Sequence, residues 1–417
     1  MSIWTKVWRT GSRSARFSHA VSLGDNFEPT TSTRSASATH AFPASVPKVP
    51  NTPSARGWVS AKQPVVVAGN GVRIAQAYDD LRGLVEAAGL PVATTAAGKG
   101  CFAETHPLAL GVFGTFGTEA GNACVAEADL VVVVGSKLSP SDTAWENRAL
   151  LDPVRQTFVQ IDIEPRNASW NYPAEHVLLG DAAMVLGQLI EAVGSSGTGG
   201  RQQAEQRVAV HRERHGYFND RAYFADNVPI LPQRVIGELA RNLPEDAIVT
   251  CDAGENRIMM THFYQTKSAE GFLQAAGSGP MGFGIPAALG AKLVHPDRPV
   301  VAVVGDGGFA MTMNGLMTAV EQDIPIITVV FNNNALGWVL HGSGPFAAEF
   351  NDWDHAAIAR ALGCRGVRVE EPDGLKPALQ EALAARQPSV IDVRTSLKVT
   401  FADITSQLAK DASPRRR

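Results

Sequence analysis

The sequence predicts an α/β protein built of two doubly wound parallel-sheet domains, one after the other. Three observations predict it. Short runs that are apolar throughout, such as Val65-Val66-Val67 and Leu130–Val134, recur along the chain. Each run ends in a turn rich in Gly, Asp or Asn. Stretches with helical periodicity fall between them. Strands apolar on both faces, alternating with helices, are what a parallel sheet covered on both sides requires.

The elements follow in order. Folded structure is expected from about Pro64, where Val65-Val66-Val67-Ala68 forms a strand entering the turn Gly69-Asn70-Gly71. A helical pattern runs over 74–88. Further strands are expected at Leu130–Val134 and 158–163, and a helix near Ala182–Val193 closes a first domain over 61–194. Residues 194–200 read Gly-Ser-Ser-Gly-Thr-Gly-Gly, which is flexible-linker composition. A charged helical stretch follows to about Tyr223, so 195–230 reads as a linker. The second domain is expected over 231–400. Pro232 suits the first turn of a helix. Strands at 247–251, 299–304, 325–331 and 389–393 alternate with a glycine-rich turn at 277–284, an apolar helix through Leu293 and a helix at 314–321. The chain after Val393 offers little for a lid. Residues 401–417 read as a tail, and Arg415-Arg416-Arg417 as a solvated end.

Composition narrows the function classes. Hydrophobic content of 45% with 19% charged residues is that of a soluble globular protein. A net charge of -4 argues against nucleic acid and against a membrane surface as partners. No apolar run reaches the roughly 18 residues of a transmembrane helix. The four cysteines (Cys101, Cys124, Cys251 and Cys364) form no C-x-x-C pair. They read as buried thiols in a reducing, cytoplasmic setting. Residues 1–60 are rich in Ser, Thr, Arg and Pro and lack apolar periodicity. Lys6, Arg9, Arg13 and Arg16, with no acid before Asp25, give transit-peptide composition. A disordered or non-native leader is the alternative.

The strongest chemical signal joins two strand ends. Asp306 follows one strand in Gly305-Asp306-Gly307, and Asn333 follows the next. One crossover separates them, so both side chains can meet at the carboxyl edge of the sheet, where open α/β sheets bind ligands. A carboxylate and an amide oxygen are hard ligands suited to Mg²⁺ or Ca²⁺. Glycines beside Asp306 let backbone N–H groups approach a phosphate closely. A diphosphate bridging these amides and a divalent cation is the natural occupant. The rival reading is a dinucleotide, because Gly305-Asp306-Gly307-Gly308-Phe309-Ala310 also fits G-x-G-x-x-A. That fingerprint wants an acid at the end of the next strand, where this chain has three asparagines.

Gly305-Asp306-Gly307, followed after 24 residues by Asn332-Asn333, resembles the signature of thiamine-diphosphate enzymes. Two further segments resemble the same family, acetolactate synthase-like members in particular. They are Gly279-Pro280-Met281-Gly282-Phe283-Gly284-Ile285-Pro286-Ala287-Ala288 and Asp252-Ala253-Gly254-Glu255-Asn256. The resemblance implies Mg²⁺ held by the side chains of Asp306 and Asn333 and the carbonyl of Ala335. It implies a diphosphate met by the amides of Gly307 and Gly308, with Gly254, Glu255, Asn256, Gly279 and Gly305 beside it. Met281 would prop the bend of the cofactor. Upstream, 64–193 resembles the family's central, Rossmann-like domain through Gly69-Asn70-Gly71-Val72, Gly98-Lys99-Gly100 and Ile161-Asp162-Ile163-Glu164-Pro165. Some relatives bind FAD or ADP there. Gly69-x-Gly71 lacks a third glycine (position 74 is Ile), which favours a structural role over FAD.

The resemblance covers about 330 of 417 residues and two of the family's three domains. The pyrimidine-binding domain, whose glutamate activates the cofactor, has no counterpart in residues 1–60, so no catalytic residue is assigned. Three functions follow. The first is a lyase or transferase acting on a 2-oxo acid, as a homo-oligomer or with a chain bearing a pyrimidine domain. The second is a non-catalytic fragment or pseudoenzyme module. The third is a FAD- or NAD-binding protein. Trp338, His341 and Phe346 follow the metal loop and could line a pocket or serve as ordinary loop and core residues.

Overall fold

The computed structural model describes residues 61–194, 198–275 and 277–412. The expected leader, the Arg415-Arg416-Arg417 end and residues 195–197 of the expected linker lie outside them. All the described residues fall within one compact unit.

Six parallel strands form the first sheet: β1 (Pro64–Ala68), β2 (Val92–Thr94), β3 (Ala109–Val112), β4 (Leu130–Val134), β5 (Thr157–Asp162) and β6 (His176–Leu179). Their spatial order is β3-β2-β1-β4-β5-β6. β1 shows why the strands are apolar throughout. Val66 and Ala68 enter the core on one face, and Val65 and Val67 enter the core on the other. The helix expected over 74–88 is two helices, α1 (Asn70–Ile74) and α2 (Tyr78–Ala88). Gln76 is left-handed at φ 51°, which breaks the run and leaves Ile74 77% exposed. Helices α3 (Glu119–Glu127) and α4 (Ala182–Val193) follow.

The expected linker is largely structured. α5 (Thr198–His215) starts inside the glycine-rich stretch and buries Ala204 and Val208 in the two cores of the first sheet. It is the charged helical stretch expected within 195–230, and only a narrow stripe of it is apolar.

The second sheet holds β7 (Ile248–Cys251), β8 (Phe272–Gln274), β9 (Val300–Gly305), β10 (Ile327–Asn332), β11 (Arg365–Val369) and β12 (Ser389–Arg394), all parallel. The order is β11-β12-β10-β9-β7-β8. The chain leaves β7 for β8 on one side and returns to β9 on the other. That reversal opens a crevice at the carboxyl ends of β7 and β9. Helices α6 (Pro232–Asn242), α7 (Glu255–Phe263), α8 (Gly284–Val294), α9 (Asp306–Thr312), α10 (Gly315–Glu321), α11 (Gly337–Ser343), α12 (His355–Ala361) and α13 (Leu375–Ala385) surround the sheet.

Polar and apolar contacts tie the sheets together. Lys99 and Glu104 form a fully buried ion pair at 2.8 Å, and Glu104 also accepts the Thr266 N–H at 2.8 Å. Gln274 donates to the Ala96 carbonyl at 2.6 Å. After Val393, part of the expected 401–417 tail packs against both domains. Ile404 is buried in the second domain, and Ala409, on α14 (Gln407–Ala412), is buried in the first. The Ser406 N–H bonds the Thr115 carbonyl at 2.8 Å, and Asn147 donates to the Leu408 carbonyl at 2.7 Å. This strap crosses both domains. All four cysteines are free and buried. Among the described residues no helix is long and apolar enough to cross a membrane.

Candidate diphosphate and metal site

Three turns converge on the crevice at the carboxyl edge of the second sheet. The first follows β7. Asp252 is fully buried, and its carboxylate accepts the N–H groups of Ala253, Gly282, Phe283 and Gly284. It therefore ties the turn after β7 to the glycine-rich turn before α8. Burial raises its carboxyl above the usual carboxylate range, and these N–H groups oppose the shift. Gly254 sits at φ 119°, a backbone open to glycine, and lets α7 start at Glu255. Asn256 donates to the Asp252 carbonyl at 3.0 Å.

The second turn follows β9. Asp306 is buried, and its carboxylate accepts the Gly307 N–H at 2.8 Å and the Ala335 N–H at 3.1 Å. Burial pushes its carboxyl up to about 6, opposed only by backbone N–H groups. Gly307 and Gly308 leave no room for side chains. A Cβ on Gly307 would stand 2.5 Å from Leu336 Cδ2, and one on Gly308 2.9 Å from Asp252 Oδ2.

The third turn follows β10, and its three asparagines do different things. Asn332 is buried and donates to Asp392 Oδ1 at 2.9 Å. Asn333 turns its Oδ1 toward the Ala335 N–H at 3.1 Å. Asn334 takes a left-handed φ of 60° that sends the chain into α11. Asp306 Oδ2 and Asn333 Oδ1 thus converge on one N–H.

All eleven residues singled out in the sequence line one cavity of about 220 Å³: Gly254, Glu255, Asn256, Gly279, Met281, Gly305, Gly307, Gly308, Asp306, Asn333 and Ala335. Leu336, Gly337, Trp338, Thr395, Ser396 and Val399 also line it, and sequence reasoning missed most of them. Trp338 lines the cavity and stacks on Phe401 of the strap at 4.4 Å between ring centres. His341 stands behind Glu255, with Nδ1 2.8 Å from Oε1. The Phe401 N–H donates to the same oxygen at 3.0 Å, so the strap does reach the site. Phe346 is 93% exposed and takes no part.

The donor set decides which ion would fit. Among the described residues no group of three or more His, Cys, Asp or Glu could hold a metal, which argues against zinc chemistry. A carboxylate oxygen and an amide oxygen side by side fit a hard, oxygen-seeking cation. A buried carboxylate faced only by backbone N–H groups has charge to spare for one. The first sheet carries a larger cavity of about 640 Å³, lined by Asn70, Gly71, Gly135, Lys137, Asp162 and Asn167 among others. Size alone would rank it higher, but converging oxygen donors and side-chain-free amides are the features of the smaller one.

Residues 252–393 match the family model described as "Thiamine pyrophosphate enzyme, C-terminal TPP binding domain". Residues 59–189 match "Thiamine pyrophosphate enzyme, central domain". The chain belongs to the thiamine pyrophosphate enzyme family. Within it the chain is similar to the probable acetolactate synthase large subunit of Methanocaldococcus jannaschii, with 34% identity over 80% of this chain and 57% of the relative. It is 33% identical to the acetolactate synthase isozyme 3 large subunit of Escherichia coli, over 83% of this chain and 60% of that protein. A sulfoacetaldehyde acetyltransferase of Alcaligenes xylosoxydans xylosoxydans is 29% identical over 78% of this chain and 58% of its own length. The chain thus spans a little under two thirds of the curated family members it matches.

Proposed function

We propose that residues 231–400 hold the diphosphate and Mg²⁺ of thiamine diphosphate, and that the protein takes part in decarboxylation or carboligation of a 2-oxo acid. The observation that carries this reading is the meeting of Asp306 Oδ2 and Asn333 Oδ1 on one N–H, beside Gly307 and Gly308. Asp306, Asn333 and the Ala335 carbonyl would hold the cation. Two carboxylates, Glu255 and Asp306, line the cavity, so a diphosphate enters favourably only with a divalent cation beside it. The amides of Gly307 and Gly308 would meet the diphosphate, and Met281 would support the rings. When bound, the thiazolium supplies the electron sink for loss of CO₂.

Among the described residues, those that wall the cavity lie within 232–399. In this reading the activating glutamate comes from a pyrimidine-binding domain on a partner chain, as a homo- or hetero-oligomer. In this reading residues 61–194 serve as the central domain and 195–230 join the two. The test is CO₂ release from pyruvate with Mg²⁺ and thiamine diphosphate, with and without a chain bearing a pyrimidine domain. Release only with both chains supports the reading. No release with either, from a protein that binds the cofactor, favours a non-catalytic module.

The larger cavity favours a second reading for the first domain. It lies where the strand order reverses between β1 and β4, and FAD is the ligand this reading would place there. A purified protein carrying the visible absorbance of a flavin supports it. A colourless protein that takes up no added FAD leaves the first domain a structural role.

A further inference from the structure

We propose that Arg394 is a positioning residue that sets the turn carrying Asn333 and Ala335, acting through Asn334. The proposal rests on the metal-site reading above. Arg394 ends β12, in register with Asn332 on β10. Its guanidinium donates to Asn334 Oδ1 at 2.6 Å and to Asn332 Oδ1 at 3.1 Å. The Asn332 amide cannot turn away, because its Nδ2 is held by Asp392 Oδ1 at 2.9 Å and the Trp353 carbonyl at 3.2 Å. Asn332 therefore presents oxygen to the arginine.

Asn334 is the residue that most needs holding. Its left-handed backbone is open to asparagine at modest cost and comes between the two donors on either side. Arg394 fixes its side chain from one side, and the Phe350 N–H fixes its carbonyl at 2.7 Å from the other. The Leu336 N–H bonds the Ala348 carbonyl at 2.7 Å, which anchors the end of the turn. Loosening Asn334 leaves the Asn333 amide oxygen and the Ala335 backbone free to part from Asp306. Arg394 touches none of the cavity's oxygen donors itself, so its effect is exerted through position. Groups standing behind metal ligands typically contribute about ten- to a hundredfold to metal affinity.

The experiment compares R394Q, N334G, their double variant and D352N in the full chain. D352N removes the carboxylate partner of Arg394, 3.2 Å away, and leaves its bonds to Asn332 and Asn334 in place. Mg²⁺-dependent binding of thiamine diphosphate is read by calorimetry, and amide exchange at Ala335 and Leu336 is read in the ligand-free protein. The expected results are binding weakened about tenfold or more in R394Q, a similar loss in N334G, no further loss in the double variant, and none in D352N. Exchange at Ala335 should quicken in R394Q and N334G only. Wild-type binding in R394Q, full additivity in the double variant, or equal losses in R394Q and D352N would overturn the proposal. If the wild-type protein binds no metal and cofactor, the metal-site reading fails. The exchange measurement then still decides whether Arg394 sets the turn.

Discussion

Asp252 accepts the Gly282 N–H through both carboxylate oxygens, at 2.9 and 3.1 Å. This contact joins two turns that are thirty residues apart and holds both beneath Gly308. Asp252→Ala removes the acceptor of four N–H groups, that of Gly284 buried and those of Ala253, Gly282 and Phe283 partly buried, and a buried orphan costs about 1–3 kcal/mol. We expect a fall in stability of about 3 kcal/mol or more and loss of the cavity. Denaturant unfolding checks this, and an unchanged midpoint would contradict it.

Gly307 and Gly308 should respond differently to alanine. A methyl on Gly307 crowds the ends of the flexible Leu336 and Met281 side chains, which can shift, and makes ordinary contact with the Phe350 ring. Gly307→Ala should therefore keep the fold with little change in melting temperature and weaken diphosphate binding by filling the cradle. A methyl on Gly308 meets the anchored carboxylate of Asp252. Gly308→Ala should lower the melting temperature, because overpacking costs about 1–3 kcal/mol. Thermal unfolding of the two variants side by side separates the effects.

The Lys99–Glu104 pair ties the two sheets from inside. Removing one partner of a buried pair strands the other charge, at a cost of about 3–5 kcal/mol. Lys99→Met should destabilise by that order, and Lys99→Met with Glu104→Leu should recover part of the loss. Chemical denaturation of both variants tests the pairing, and equal stabilities would contradict it.

The two folds were legible because parallel strands must be apolar on both faces, and β1, β4, β9 and β10 announce themselves that way. β2, β3 and β8 are three or four residues long, too short for any period to show. β6 is half exposed and only four residues long, so its alternating burial does not show in the run Val177-Leu178-Leu179. The cavity wall was legible where glycine and acid coincide at strand ends. The bonds of Asp252 to the turn before α8, the role of Arg394 and the strap were not, because each acts on partners distant in sequence. Composition does not show that two of the tail's few apolar residues, Ile404 and Ala409, find two cores.

The strap offers its own test. Phe401 stacks on Trp338 and donates its N–H to Glu255. Phe401→Ala removes an aromatic contact worth about 0.5–1.5 kcal/mol beyond its burial. We expect a modest fall in melting temperature and a red shift in tryptophan emission as Trp338, already partly exposed, loses its stacking cover. An unshifted spectrum would place the strap away from the site.

The most direct measurement is a calorimetric titration of the full chain with thiamine diphosphate, with and without Mg²⁺, for the wild-type protein and Asp306→Asn. The substitution keeps the size of the side chain and removes the charge that the cation would meet. The account predicts binding that requires Mg²⁺ in the wild-type protein and is lost in Asp306→Asn with the fold intact. Binding that is indifferent to Mg²⁺ or to Asp306, or no binding by the folded wild-type chain, would contradict it.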